Sequence, residues 1–149
     1  MMYIKAVQDD LPETEDYDVE DHEEGRKTWF SIGDLAAEFD VTLRALRFYE
    51  DKRLLAPYRE GRTRVYSRKD RARLSLILLG KRVGLSLMEI RELLDAYSKK
   101  DGGKRQLKLA YAKFMKQQHL LRDQRAEIDL SLLELEESLK TMRPKVEAL

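Results

Sequence analysis

An apolar residue recurs at every seventh position between Leu107 and Met142 of this 149-residue chain. The series is Leu107, Phe114, Leu121, Ile128, Leu135 and Met142, and a second series four residues further on is Tyr111, Gln118, Arg125, Leu132 and Leu139. Such a repeat keeps one seam of a helix facing a partner helix, as in a coiled coil. Because an apolar stripe of this length is unstable in water, the sequence predicts a long helix over residues 104–142 that pairs with another helix.

The partner of this helix is either a second copy of the chain or another part of the same chain. Packing on the same chain would need a bend between Gln118 and Arg125, where the second series is polar. A second copy needs no bend, so homodimerisation is the preferred interpretation. The predicted dimerisation residues are Leu107, Tyr111, Phe114, Leu121, Ile128, Leu132 and Leu135. Residues 143–149 are expected to form a tail, because Pro144 should stop the helix.

Charge is distributed unevenly along the chain, although the net charge is only +1. Residues 1–24 contain ten acidic residues and one basic residue, and residues 25–82 contain fifteen basic and seven acidic residues. A polyanion such as DNA would therefore meet the middle segment. Residues 9–24 contain almost no apolar side chains beyond Leu11, Tyr17 and Val19, so we expect residues 1–27 to form a disordered acidic tail. The tail either keeps the chain in solution or competes with DNA for the basic segment.

Three capping boxes predict where helices begin, at Ser31, Ser67 and Ser86, each followed three residues later by Asp or Glu. The first helix should end near Asp40, and Thr42 can cap a second helix only a few residues later. Two helices with so short a connection form a helix-turn-helix. In the second helix, Leu43 and Leu46 are expected to be buried. A simple helical hairpin would share this pattern, but the surrounding positive charge favours a DNA-binding unit.

The segment LLAPYREGRTRVYS, residues 54–67, predicts a small β-hairpin with Gly61 in its turn. Arg59, Arg62 and Arg64 cluster near the tip of this hairpin. Arginine remains charged and can hold a phosphate oxygen with two donors. We therefore interpret the tip as a contact to the DNA backbone, with a merely solvated turn as the alternative.

The sequence offers little for other classes of function. It has no cysteine, which excludes disulfides and zinc–thiolate sites. We find no glycine-rich phosphate loop, no metal-ligand spacing and no nucleophile motif, so we expect neither an enzyme nor a bound metal or cofactor. No apolar run is long enough to span a bilayer and no signal peptide is recognisable, so a cytoplasmic protein is expected.

Taken together, SIGDLAAEFDVTLRALRFYEDKRLL, REGRTRVYS and GLSLMEIRELL resemble the MerR family of bacterial transcriptional regulators over residues 29–97. EFDVT, RFYED, YSRKDR and LILLGKR are most similar to the branch that regulates leucine, isovalerate and fatty-acid catabolism. The resemblance implies a mainly α fold, with a winged helix-turn-helix over residues 28–98 and a coiled-coil dimerisation helix over 104–142. The hairpin would be the first wing, and the helix pair between residues 68 and 97 the second.

The resemblance also implies a function. A homodimer would bind a palindromic operator and distort promoter DNA for RNA polymerase, under the control of an acyl-CoA-like effector if there is one. An architectural or excisionase-like DNA-bending protein is the alternative. The implied DNA-binding residues are Thr42, Arg44, Ala45, Arg47, Tyr49, Arg59, Arg62, Arg64 and Tyr66. Among these, Arg44 and Ala45 would face bases, and Arg47, Tyr49, Arg64 and Tyr66 would hold phosphate. The chain departs from the family at Phe48 and Thr63, where tyrosine is frequent, and it lacks the cysteines of metal-sensing members.

Overall fold

The computed structural model describes residues 29–149, which are mainly helical with one small sheet. The elements in order are β1 (Trp29–Ser31), α1 (Ile32–Phe39), α2 (Leu43–Asp51), β2 (Tyr58–Glu60), β3 (Thr63–Ser67), α3 (Arg68–Val83), α4 (Leu87–Asp95), a 3₁₀ turn (Lys99–Asp101) and α5 (Lys104–Glu147). The described residues divide into two units between Ala110 and Tyr111. The mainly α class is confirmed, whereas the predicted disordered tail at residues 1–27 lies outside the described residues.

The three predicted capping boxes are all present. The hydroxyl oxygens of Ser31, Ser67 and Ser86 accept hydrogen bonds from the third backbone amide of α1, α3 and α4 at 3.1, 3.1 and 3.2 Å. In each case the acidic side chain at that third position accepts from the backbone N–H of the serine. A cap of this kind stabilises a helix by roughly 1 kcal/mol. The helix starts are therefore fixed by local chemistry.

The predicted hairpin is present, and a third strand extends it to the antiparallel sheet β1-β3-β2. Glu60 pairs with Thr63, so Gly61 and Arg62 form a two-residue turn in which Gly61 has φ of 61°. Strand β1 was not predicted, because three residues are too few to show an alternating pattern. It places Phe30 directly opposite Tyr66.

One hydrophobic core joins the sheet, α1, the loop after α2, and the α3–α4 pair. The buried apolar residues are Leu35, Phe39, Leu46, Tyr49, Leu54, Leu55, Tyr66, Leu74, Ile77, Leu85, Ile90, Leu93, Leu94 and Ala96. Gly80 lets α4 approach α3 closely, because a Cβ atom at that position would lie 2.8 Å from Cγ1 of Ile90. The expectation that Leu43 is buried is wrong: its side chain is 41% exposed, as the first residue of α2 lies at the edge of the packed face.

Helix α5 begins at Lys104, as expected, but continues through Pro144 to Glu147. The expected stop before residue 143 is therefore wrong. Proline removes one backbone hydrogen bond, to the carbonyl four residues earlier, and crowds that carbonyl. So close to the end of the helix few hydrogen bonds depend on that turn, and the last residues remain helical.

Candidate nucleic-acid interface

Helix α2 is held at its start by a cap and by a tight turn from α1. The Thr42 hydroxyl oxygen accepts a hydrogen bond from the Ala45 amide at 3.1 Å. Asp40 ends α1 in the left-handed conformation, with φ of 52°, and this reverses the chain within a few residues. Leu46 and Tyr49 then anchor the inner face of α2, with 0% and 7% of their surfaces exposed. These contacts fix which face of α2 is turned outward.

The outward face of α2 carries Arg44, Arg47, Phe48 and Asp51, all of them exposed. Within residues 29–149, no hydrogen bond or ion pair engages the guanidinium groups of Arg44 and Arg47. Phe48 is 42% exposed, and the Lys52 ammonium lies 5.5 Å from the centre of its ring. An exposed helix face with two unpaired arginines can contact phosphates or base edges.

The hairpin adds a second group of arginines. Arg59 and Arg62 are exposed, Arg59 in the middle of β2 and Arg62 in the turn. Neither makes a hydrogen bond or ion pair within the described part of the chain. Arg64 differs from these two arginines, because it is partly buried and its guanidinium group donates a hydrogen bond within the protein. The three arginines of the hairpin are therefore not equivalent.

Arg64 and Tyr66 both bind the carboxylate of Glu50, in the last turn of α2. Arg64 Nε donates to Glu50 Oε2 at 2.8 Å, and the Tyr66 hydroxyl donates to Glu50 Oε1. The hydrogen bond to Glu50 raises the pKa of Arg64. Burial, and after it the hydrogen bond to Glu50, raises the pKa of Tyr66 well above its ordinary value. This network connects β3 to α2 and leaves both side chains occupied.

The structure shows that the expected DNA-binding residues differ in exposure and in hydrogen bonding. Tyr66 has no exposed surface and Tyr49 only 7%, and their contacts to phosphate stay predictions. Ala45 is half-buried, and the Thr42 hydroxyl is used as a helix cap. Tyr49 on α2 and Tyr66 on β3 both belong to the buried set of the hydrophobic core. Of the expected DNA-binding residues, Arg44, Arg47, Arg59 and Arg62 are exposed and unpaired within residues 29–149.

The role of Glu50 was missed by the sequence analysis. Its two hydrogen-bond partners lie 14 and 16 residues away along the chain. An acid inside a basic segment was the available signal, because an unpaired carboxylate there would oppose the binding of a polyanion.

The α3–α4 pair is tied to the segment that follows α2. Arg73 Nε donates to the Leu54 carbonyl at 2.9 Å, and Arg91 donates to the Lys52 carbonyl at 2.5 Å. The Asp70 carboxylate, already part of a capping box, also accepts from the Ala56 amide at 3.3 Å. The end of α2 is thus held by both the sheet and the helix pair.

In the second unit, the seam of α5 is uncovered. Leu121, Ile128, Leu132 and Leu135 are 44%, 60%, 51% and 59% exposed. In the first unit, Leu107 is 55% exposed, and across the boundary between the units Tyr111 is 68% exposed. Phe114 is half-buried. The apolar seam predicted from the heptads is therefore exposed at these positions in a single copy of the chain, and pairing with a second copy stays a prediction.

Residues 29–149 show neither a cluster of metal ligands nor a membrane span. This region contains no group of three or more His, Cys, Asp or Glu residues that could hold a metal ion. None of its helices is long and apolar enough to cross a membrane.

Comparison with known proteins identifies relatives of this arrangement. Residues 30–97 match the family described as MerR HTH family regulatory protein, and residues 71–143 match the family described as MerR, DNA binding. The HTH-type transcriptional regulator CueR of Yersinia pestis is 38% identical over 69 residues, which are 45% of this chain and 50% of CueR. The chain thus matches about half the length of this curated relative.

Solved structures give the same result for the fold. A MerR-family transcriptional regulator from Bacillus cereus superposes with a TM-score of 0.62 at 28% identity, over 77% of this chain and 83% of that one. The N-terminus of MtaN, the Bacillus subtilis multidrug transporter activator, superposes with a TM-score of 0.57 at 27% identity. That match covers 74% of this chain and 97% of the MtaN chain.

Proposed function

Since residues 30–143 of this chain belong to the MerR family, we propose that the protein is a transcriptional regulator that binds duplex DNA as a homodimer. One observation carries the proposal: two separate elements present exposed arginines without partners within the described residues, Arg44 and Arg47 on α2 and Arg59 and Arg62 on the hairpin. Unpaired arginines on a helix and on a neighbouring hairpin are suited to a groove and to its flanking phosphates. The proposed activity is binding, in the cytoplasm, without a catalytic step.

In this proposal α2 is the recognition helix and lies in the major groove. Arg44, in its first turn, reads base edges, since residues near the start of a recognition helix are the ones that reach the bases. Arg47, Arg59 and Arg62 hold phosphates. Phosphate contacts position the protein, whereas base contacts give sequence preference. Substitution of Arg44 should therefore reduce sequence preference, whereas substitution of Arg47, Arg59 or Arg62 should reduce affinity for every sequence.

A homodimer formed through α5 would carry two copies of α2 and of the hairpin. The exposed seam of α5 supports this part of the proposal, because an uncovered apolar stripe of this length calls for a partner helix. Two copies of α2 would then occupy successive major grooves of a palindromic operator. Distortion of promoter DNA, on which RNA polymerase can then act, belongs to the same proposal.

The test compares Arg44→Ala with Arg59→Ala, using a duplex that the wild-type protein selects from a random pool and a scrambled duplex of the same length. Arg44→Ala should lower affinity mainly for the selected duplex, by about tenfold, as expected for one lost base contact. Arg59→Ala should weaken both duplexes alike and reduce the salt dependence of binding by about one phosphate contact. If neither variant changes binding, the proposed interface is refuted.

A second candidate is the architectural or excisionase-like protein, which would bend DNA through the same surface. Transcription in vitro from a promoter that contains the selected duplex separates the two functions. A regulator changes the amount of transcript, and a purely architectural protein binds and bends the duplex without doing so.

The assignment to the branch that controls leucine and isovalerate catabolism, with an acyl-CoA-like effector, belongs to the same proposal. It gains no support from the relatives named above, which are CueR, the Bacillus cereus regulator and MtaN.

A further inference from the structure

The hairpin places two arginines side by side on the sheet face that is turned toward α2. Arg59 and Arg64 are directly opposite each other in the register of β2 and β3. Like charges in this position destabilise a strand pair. The Glu50 carboxylate compensates one of them, since its Oε2 lies 2.8 Å from Arg64 Nε. Arg64 is therefore neutralised within the protein, and Arg59 is left for an external anion.

Glu50 itself is unexpected at this place. It belongs to the helix that carries Arg44 and Arg47, and an acid there repels a polyanion. Its side chain is only 11% exposed, and both of its oxygens accept hydrogen bonds from β3. By contrast, the neighbouring Asp51 is exposed and makes no hydrogen bond or ion pair within residues 29–149, and its charge adds only a smaller contribution than Glu50 to the raised pKa of Arg64. The two acids of this helix end are therefore in different situations.

We infer that Glu50 is a positioning residue that fixes the hairpin against the recognition helix, so that the arginines of both elements meet duplex DNA at one set spacing. The inference deepens the proposed function and rests on it. Charge-assisted hydrogen bonds are short and directional, and two of them on one carboxylate define an orientation. Apart from these hydrogen bonds, the hairpin, whose strands are three and five residues long, makes few contacts with α2.

This role divides the hairpin arginines by task. Arg64 joins the hairpin to α2 and does not contact phosphate, whereas Arg59 and Arg62 do. Glu50 is then a determinant of specificity without touching a base, because selection of one sequence requires base and phosphate contacts at the same time. Binding to any other duplex needs the phosphate contacts alone.

The experiment compares Glu50→Gln with Asp51→Asn. Both variants remove one negative charge at adjacent positions of α2. Glu50→Gln keeps an oxygen that can accept from Tyr66, but it places an amide donor opposite the Arg64 guanidinium, which has no lone pair to accept it. Asp51→Asn disturbs no hydrogen bond, because the Asp51 side chain makes none within residues 29–149. The full chain is titrated with the selected duplex and with the scrambled duplex.

Both variants should bind the scrambled duplex slightly more tightly than wild type, because repulsion falls. Asp51→Asn should keep the ratio of the two affinities. Glu50→Gln should lower that ratio by about tenfold, the usual effect of losing a hydrogen bond to a charged group. Equal ratios for the two variants would overturn the inference. A variant whose fold is generally destabilised would instead bind both the selected and the scrambled duplex more weakly, so that outcome can be distinguished from a change in their ratio.

The variant Arg64→Gln and a measurement of hydrogen exchange without DNA test the role of Glu50 independently of any DNA sequence. Arg64→Gln, which breaks the same contact from the other side, should lower the ratio as Glu50→Gln does. Without DNA, both variants should speed hydrogen exchange at the amides of β2 and β3, while Asp51→Asn should not. Unchanged exchange would also overturn the inference. If the wild-type protein prefers no duplex, the proposed function fails, but the exchange measurement still decides the role of Glu50.

Discussion

Replacing Gly80 by alanine tests how α3 and α4 pack against each other. An added methyl group would lie 2.8 Å from Cγ1 and 3.1 Å from Cδ1 of Ile90, whose side chain is fully buried. The buried side chain of Ile90 would have to shift, and overpacking of this kind costs about 1–3 kcal/mol. The higher helix propensity of alanine offsets about 1 kcal/mol of that cost. We therefore expect Gly80→Ala to lower the free energy of unfolding by up to about 2 kcal/mol.

Gly33→Ala is the matched control, because Gly33 also lies in a helix but its added methyl group would meet only Ser31 Oγ, at 3.7 Å. Without a clash, the gain in helix propensity should stabilise the protein by about 0.5–1 kcal/mol. Urea unfolding followed by the fluorescence of the single tryptophan, Trp29 in β1, measures both variants. A change of 1 kcal/mol moves the midpoint by roughly 0.3–1 M urea at the slopes of small domains.

The double variant with Ile90→Ala completes the test. Removing Cγ1 and Cδ1 of Ile90 opens a cavity, which by itself costs about 2–5 kcal/mol. In that background the methyl group added at position 80 has room, so Gly80→Ala should become neutral or stabilising. Additive effects of the two substitutions, or a Gly80→Ala protein as stable as Gly33→Ala, would refute the proposed close approach of the two helices.

Two other expectations concern the core and the seam of α5. Because the folded protein raises the pKa of Tyr66, this residue contributes stability that is complete below the unfolded pKa of 10.0 and is lost as the pH rises toward the folded value. The stability difference between wild type and Tyr66→Phe should therefore shrink above pH 10, in urea titrations at stepped pH; a constant difference would contradict the shift. For the seam, Ile128→Asp should turn a dimer into a monomer in sedimentation experiments, while Leu130→Asp should not. Both side chains are about equally exposed, at 60% and 59%, but Leu130 lies off the heptad series, so equal behaviour would contradict the assigned seam.

Features that depend on neighbours in sequence were predictable. Ser31, Thr42, Ser67 and Ser86 cap helices because a side-chain oxygen needs only the amides of the next turn, and those amides follow wherever the helix forms. The hairpin was predictable for a similar reason, since Gly61 supplies the positive φ of a two-residue turn. The long helix followed from its heptads, although its final turn beyond Pro144 did not.

Features that depend on distant residues were not predictable in the same way. Nothing in RFYE or TRVYS indicates that Tyr66 points into the core and Arg64 toward Glu50. Which side of a five-residue strand is buried depends on the elements that pack against it. Strand β1 exists through its pairing with β3, and Gly80 is needed only because Ile90 approaches it.

The sequence alone determined where helices begin, where positive charge concentrates and which stripe of α5 is apolar, since these follow from residues that are near one another in the chain. Only the tertiary structure decided which polar groups face a ligand and which hold the fold together. Arg59 and Arg64 have the same side chain and lie five residues apart in the chain. Their roles differ only because α2 brings the Glu50 carboxylate to within 2.8 Å of Arg64.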